Sequence, residues 1–309
     1  MPTVSVIIPL YNKSRYVMYA MNSVFAQTFE DYELIIVDDG STDDGPQQVL
    51  AYSDLRLRLI RQTNAGPGAA RNRGITEANG KYIAFLDADD EWLPTFLEES
   101  ITVLRNHTTC VLSTSTYFLG EKRTDVSGFF QQRGIVEGEW ELTKDIPVKH
   151  LAPCIFALHS CSTVCEKDVL IKYGGFYSKD KCSYGEDYYL WLIIILNCRM
   201  YRIARPLWWY HTENSEIGIR KGKLPLHPFM ENPAEIRDYC PLEKRNILEL
   251  WFALFALSMS HEYISREQID EVEYLLKQYP LMKRVKLWSY IKLMLKLNVL
   301  KLRKQGYYK

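Results

Sequence analysis

The segment Tyr82-Ile-Ala-Phe-Leu-Asp87-Ala88-Asp89-Asp90 constrains the fold more than any other part of the chain. A short run of apolar and aromatic residues ends abruptly in three carboxylates. The run reads as a strand buried on both faces, and the charges must fall at its C-terminal end. In open α/β sheets that end is where ligands bind. Like charges packed together are costly unless a cation neutralises them. Asp87 and Asp89 are spaced i, i+2 and share one face of an extended segment. Oxygen ligands of this kind suit Mg²⁺ or Mn²⁺ shared with a substrate phosphate. The competing reading is an acidic cap for the next helix, and the apolar character of the strand weighs against it.

The flanking sequence alternates strand and helix signals. Strands are expected at residues 4–9, 33–38, 55–61 and 82–86. Helices are expected at 13–27, 43–52, 66–78 and 94–105, the first with Val17, Met18, Met21, Val24 and Phe25 on one side. This order predicts a parallel sheet with right-handed crossovers. Beyond it, 110–119 reads as a strand and 120–138 as loops or a hairpin. Residues 187–198 form a helix apolar on all sides. The stretch 224–241, with four prolines, reads as a linker, and 242–260 and 262–278 as helices.

Each strand end carries residues with chemical potential. Tyr11 can stack on a planar base and Asn12 can bond a ribose or base edge, or the two form an ordinary strand-to-helix turn. Asp39 can accept from a base imide or sugar hydroxyl, or Asp39-Gly40 is a turn pair. Within Asn64-Ala-Gly66-Pro-Gly68-Ala-Ala-Arg71-Asn72-Arg73-Gly74, the glycines allow close backbone approach and Arg71 can face a phosphate at the helix start. The third glycine of a dinucleotide fingerprint is missing, which excludes nicotinamide binding. Glu186-Asp187 opens the apolar helix, so a carboxylate there is partly desolvated, as a general base needs, or serves as a cap.

The totals set limits. The chain has 309 residues, 47% apolar and 25% charged, ordinary for one large or two smaller globular domains. Net charge is zero, which gives no basis for a nucleic-acid partner. Seven cysteines without regular spacing read as reduced and cytosolic. Cys154, His159, Cys161 and Cys165 match no familiar zinc spacing and are taken as structural. The start of the chain lacks a signal-peptide pattern, and no apolar stretch approaches the roughly 18–20 residues of a membrane span. Residues 281–309 hold nine Lys or Arg and no Asp or Glu, interleaved with apolar residues. That composition suits a helix lying on an anionic membrane surface, or one packed on the protein with a solvated basic face.

Taken in order, these motifs make the chain resemble the family 2 glycosyltransferases. The resemblance rests on Val4-Ser-Val-Ile-Ile-Pro-Leu-Tyr-Asn12, Glu33-Leu-Ile-Ile-Val-Asp-Asp-Gly-Ser-Thr42, Asn64 to Gly74, Gly80 to Asp90, Gly174-Gly-Phe176 and Glu186-Asp187, and covers roughly residues 3–215. It implies a GT-A, Rossmann-like α/β fold with a mostly parallel sheet flanked by helices. The implied catalytic domain spans 1–220, with the nucleotide side at about 1–110 and the acceptor side at about 111–220. A helical C-terminal region at 221–309 follows. Pro9, Tyr11, Asn12, Asp38, Asp39, Arg71, Asp87 and Ala88 would hold the nucleotide, and Asp89 with Asp87 would ligate Mn²⁺ or Mg²⁺. Asp187 would take the proton from an acceptor hydroxyl, with Glu186 supporting the loop. The implied activity is inverting transfer of a hexose or N-acetylhexosamine from a nucleotide-diphosphate sugar, UDP-linked by resemblance, to a glycan or lipid-linked glycan. The enzyme would be cytoplasmic and peripheral on the inner face of the membrane. A nucleotidyltransferase would instead carry a basic glycine loop after strand one, and a non-catalytic module would lack Asp89 or Asp187. Many members have a Tyr-Arg-x-His-like segment; here Leu207-Trp-Trp-Tyr-His211-Thr-Glu213 puts His211 in the arginine position and Glu213 in the histidine position. Trp208 and Trp209 would offer a sugar platform or pack at a strand end.

Overall fold

Strand β1 (Val4–Leu10) is apolar on both faces and can exist only between other strands with helices above and below. The chain supplies them: α1 (Val17–Phe25), β2 (Tyr32–Asp38), α2 (Gly45–Leu50), β3 (Leu57–Arg61), α3 (Pro67–Glu77) and β4 (Tyr82–Phe85). β1 pairs in parallel with β2 and β4, and β2 with β3. β2 and β4 are buried along their whole length, whereas β3, at the edge, is half-exposed. Gly74 lets α3 lie against β1, since a Cβ there would come within 2.5 Å of Ile7. The structure is a computed structural model that describes residues 1–147, 157–212 and 223–304. The chain divides into two units, Met1–Leu142 with Pro153–Gly218, and Thr143–Ala152 with Ile219–Lys309.

The rest of the first unit widens the same sheet. It comprises β5 (Glu91–Trp92), α4 (Phe96–Asn106), β6 (Cys110–Leu119), β7 (Thr124–Asp125), α5 (Ser127–Gln131), β8 (Gly138–Trp140), β9 (Thr163–Glu166), α6 (Lys167–Lys172), α7 (Glu186–Asn197) and β10 (Arg199–Tyr210). The strand order is β3-β2-β1-β4-β9-β6-β10-β5, with β7 on β6 and β8 on β10. The sheet is parallel through β4. β9 then runs antiparallel to both β4 and β6, so the chain just before β9 lies beside the carboxyl end of β4. The four-residue β9 has too little sequence to announce itself. Residues 120–138, read as loops or a hairpin, also hold the short helix α5. α7 is the expected all-apolar helix, and Leu190 to Leu196 are nearly inaccessible.

The second unit is helical: α8 (Pro228–Glu231), α9 (Pro233–Tyr239), α10 (Arg245–Ser265), α11 (Ile269–Gln278), α12 (Met282–Val285) and α13 (Leu287–Lys304). The expected linker at 224–241 is therefore a correction. Pro228 and Pro233 open helices, where proline's missing N–H does no harm. The Gln268 side chain bonds both backbone groups of Leu224, at 2.7 and 2.9 Å. Phe229, Trp251 and Phe255 build an aromatic core. The expected helix at 262–278 is divided: α10 runs on to Ser265, and Glu267 turns the chain with φ +57°.

Candidate active site

The site is built where β1, β2 and β4 end and α3 and α7 begin. Asp87 lies two residues past the end of β4. Its Oδ1 accepts from Arg71 Nη2 at 2.7 Å, and Arg71 Nη1 donates to Glu186 Oε1 at 2.9 Å. Arg71 is buried, and its guanidinium lies over the Phe176 ring. One cation thus joins the end of β4 to the first turn of α7, residues 115 apart in sequence for the Arg71–Glu186 pair. Arg71, read as able to face a phosphate, has both ends of its guanidinium fork on carboxylates. Glu186, expected to support the loop, is the second of these partners.

Electrostatics divide the cluster. Burial raises the pKa of Asp87, but the adjacent Arg71 charge and hydrogen bond outweigh it and hold the carboxyl below its ordinary value. Glu186 is pushed up to about 7 by burial and then by the charge of Asp187, which together outweigh Arg71. Asp187 is raised for the same first reason, with Arg71 opposing. Asp89 is raised by burial and by Asp87 although Lys13 Nζ sits 2.8 Å from its Oδ2. Asp90 is raised well above the carboxylate range by burial, then by Asp89 and Asp87. An excess of negative charge remains after Arg71 and Lys13 are paired.

Asp90 is the residue that sequence reasoning left without a role. It is 2% exposed; its Oδ1 accepts from the backbone N–H of His211 at 2.9 Å, and its Oδ2 accepts from the Cys161 thiol at 3.3 Å. Cys161 Sγ in turn accepts from the Asp87 N–H at 3.3 Å. Cys161, read as structural, ties the turn just before β9 to the acidic turn. Cys165 is buried within β9, and Cys154 and Glu213 lie outside the described residues.

The donor atoms of Asp87, Asp90 and Cys161 lie within 4.8 Å of one another. Burial keeps the Cys161 thiol protonated, and a thiol is a poor ligand for Mg²⁺ or Mn²⁺. The oxygen donors of Asp87 and Asp89, in a cluster with surplus negative charge, fit such a hard cation.

The other expected contacts separate into open and closed groups. Tyr11 is 46% exposed. Pro9 is partly exposed, and Ala88 is buried. Asn12, at φ +51°, uses its Oδ1 to accept from the backbone and hydroxyl of Thr42, at 2.8 and 3.2 Å. Asp38 accepts from the Ser41 N–H at 2.8 Å. Asp39 is 3% exposed and accepts from Gln62 Nε2, Ala65 N and Gly66 N, each at 2.8 Å. The resemblance implies that these side chains hold the nucleotide; in the structure each also accepts hydrogen bonds from the neighbouring loops. The glycines of the α3 loop likewise approach protein backbone. A Cβ on Gly68 would lie 2.2 Å from the Tyr177 carbonyl oxygen, and one on Gly175 2.4 Å from Asn72 Oδ1. Asn72 clasps Phe176 through both its backbone groups at 2.8 Å, which explains Gly174-Gly175-Phe176 as the lock between α3 and the approach to α7.

Trp208 is fully buried against Tyr117, His159 and Tyr210, so it packs in the core and offers no sugar platform. Trp209 is partly exposed, held between the Arg123 guanidinium at 3.8 Å and the His211 ring at 3.9 Å. His211 Nε2 is 2.9 Å from Glu91 Oε1.

Residues 5–162 match glycosyl transferase family 2, and the chain belongs to that family. An Escherichia coli UDP-Glc:α-D-GlcNAc-diphosphoundecaprenol β-1,3-glucosyltransferase is 32% identical over 243 residues, 74% of this chain and 87% of that one. Staphylococcus aureus TarS 1–349 in complex with UDP-GlcNAc superposes with a TM-score of 0.74 at 20% identity, covering 99% of this chain and 92% of that one. A Pyrobaculum calidifontis mannosyltransferase in complex with GDP-Man and Mn²⁺ gives 0.53 at 17% identity, covering 100% and 88%. These likenesses establish the GT-A fold and glycosyltransferase class. Two Rickettsia glycosyltransferases align at 41% and 40% identity, and there the chain spans about a fifth of the relatives' length, 22% and 20%.

Proposed function

We propose that the protein is an inverting, metal-dependent transferase that moves a hexose or N-acetylhexosamine from a UDP-sugar to a hydroxyl of a lipid-linked glycan at the inner membrane surface. The observation that carries the reading is the Arg71 bridge, which gathers the β4 carboxylates and the head of α7 into one cluster. The glucosyltransferase relative supports the acceptor class, and the TarS and mannosyltransferase complexes support a nucleotide-sugar donor.

Tyr11 stacks the base, and the loops set by Asn12, Asp38 and Asp39 shape the nucleoside pocket, with Pro9 and Ala88 in its wall. Asp87 and Asp89 would hold the divalent cation, which when bound would stabilise charge on the departing diphosphate. Asp187 accepts the proton of the acceptor hydroxyl, and burial has already raised its basicity. The hydroxyl oxygen forms its bond to the anomeric carbon as the bond to the diphosphate oxygen breaks. A single displacement inverts the configuration, so no nucleophilic carboxylate is required. Arg71 fixes Asp87 and Glu186 while this happens.

The test is release of UDP from a panel of nucleotide sugars, with and without Mn²⁺, together with NMR assignment of the product's anomeric configuration. Metal-dependent turnover lost in Asp89→Ala, with an inverted product, supports the reading. Turnover that is indifferent to metal and to Asp89→Ala, or a retained configuration, overturns it.

A further inference from the structure

The second unit closes with α13, whose apolar residues lie on two faces. Leu293, Leu297 and Leu300 are buried. Their helix packs on α10, the Ser289 hydroxyl meets His261 Nε2 at 2.9 Å, and Lys301 pairs with Glu273. The tail is thus in part a packed helix, one of its two expected fates. The second apolar set faces away: Trp288 is 77% exposed, Ile291 37%, Leu295 62%, Val299 49% and Leu302 38%. At 3.6 residues per turn these five fall within an arc of roughly 80°, and Lys292, Lys296 and Arg303 line one side of it. All three of these cations are exposed. A water-soluble surface rarely leaves so regular an apolar stripe uncovered.

We propose that this outer face of α13 inserts into the headgroup boundary of an anionic lipid surface. It refines the membrane placement in the reading above, but its evidence is separate. Charge selects the occupant. Residues 281–309 carry nine cations and no carboxylate, so a second copy laid along the same helix would bring like charges together. Anionic headgroups neutralise the cationic edge, while the stripe beside it enters the acyl boundary. Among the described residues no helix is long and apolar enough to cross a membrane, and insertion along the surface needs none. Trp288, at the start of the stripe, has the amphipathic ring favoured at that depth.

The experiment is co-sedimentation of the full chain with phosphatidylcholine vesicles, with and without phosphatidylglycerol. Binding is expected with the anionic vesicles and is expected to weaken with added salt. The double variant Lys292→Glu/Lys296→Glu should lower vesicle affinity by about tenfold or more. Leu295→Glu should do the same through the apolar stripe. Trp288 is the most exposed tryptophan, so vesicle addition should shift the emission to the blue, and Trp288→Phe should lose that shift. Circular dichroism checks that the variants are folded, and Val299→Ser offers a milder probe of the same face. Absence of binding to anionic vesicles overturns the proposal. So does binding unchanged in Leu295→Glu and Val299→Ser, or a wild-type dimer that Leu295→Glu makes monomeric, which would assign the stripe to a second copy. Because the readout is binding, its failure leaves the transferase reading standing, and a loss of UDP release leaves this one standing.

Discussion

Two strands of the sheet end alike in sequence and differently in structure. β2 runs Leu-Ile-Ile-Val into Asp38-Asp39, and β4 runs Ile-Ala-Phe-Leu into Asp87-Ala88-Asp89-Asp90. At β2 the protein's own donors close the carboxylates: Ser41 on Asp38, and Gln62, Ala65 and Gly66 on Asp39. At β4 burial and mutual repulsion hold Asp89 and Asp90 above their ordinary pKa values. The first group builds a loop, and the second stores an unmet demand for positive charge. The candidate site thus lies at the strand end where carboxylates outnumber the cations paired with them, Arg71 and Lys13.

The largest effect that would break this contrast is on turnover. Asp89→Ala and Asp187→Asn should each lower kcat/KM by about 10³-fold, while the melting temperature stays level or rises. The stability sign follows from the raised pKa values: ionising these groups in the fold is unfavourable, so neutral replacements relieve the cluster. A steep fall in melting temperature in either variant would mean that β4 ends in a structural cap after all.

Asp39→Ala should show the opposite pattern. It strands Gln62 Nε2 and the Ala65 and Gly66 N–H groups, and should cost about 4 kcal/mol of stability by denaturant titration. Activity at low temperature, where the fold survives, should fall less than in Asp89→Ala. Stability left untouched would mean that these hydrogen bonds do not organise the end of β2.

A third, smaller effect is pH. A carboxyl whose pKa is higher folded than unfolded contributes stability that is complete below its ordinary pKa and lost as pH rises through the raised value. For Glu186 that window runs from 4.5 to about 7. Melting without metal should weaken across it by up to roughly 3 kcal/mol, and Glu186→Gln should flatten the profile. Asp87 has the opposite sign and acts at lower pH, where its stabilisation is lost as it protonates. A melting profile unchanged by Glu186→Gln would show that Arg71 satisfies Glu186 fully.

How much of this could be read from the sequence depends on the range of the contacts. β1, β2 and β4 were legible because each is a local apolar run ended by polar residues, and α7 because it is apolar on every side. The acidic turn and Asp187 were legible as charge set against such runs. What stayed hidden depends on partners far away in the chain. Arg71 offers its two carboxylates no local signal, since one lies 115 residues on. Asp90 gains its role from His211 and Cys161, 121 and 71 residues away. Trp208 looks like an aromatic platform until Tyr117 and His159 cover it. Prolines 228 and 233 suggested a linker because proline marks loop and helix start equally; packing of their helices decided between the two.

The finest test of the contrast concerns Lys13. Its ammonium lies 2.8 Å from Asp89 Oδ2, and both side chains are mostly buried, 17% and 16% exposed. If the β4 cluster lacks positive charge, Lys13 is a partial substitute for the cation that Asp89 would ligate, and the two compete for one carboxylate. Lys13→Met then removes the competitor, and Mn²⁺ should bind the nucleotide-free protein about fivefold more tightly, the worth of one modest ion pair. Titration followed by Mn²⁺ electron paramagnetic resonance reads this without turnover. Asp89→Asn in the Lys13→Met background should abolish the gain, which ties it to that carboxylate and not to a general change in surface charge. Weaker Mn²⁺ binding in Lys13→Met would mean that Lys13 holds Asp89 in its ligating position, and that at the end of β4, as at the end of β2, the protein's own donors organise the carboxylates.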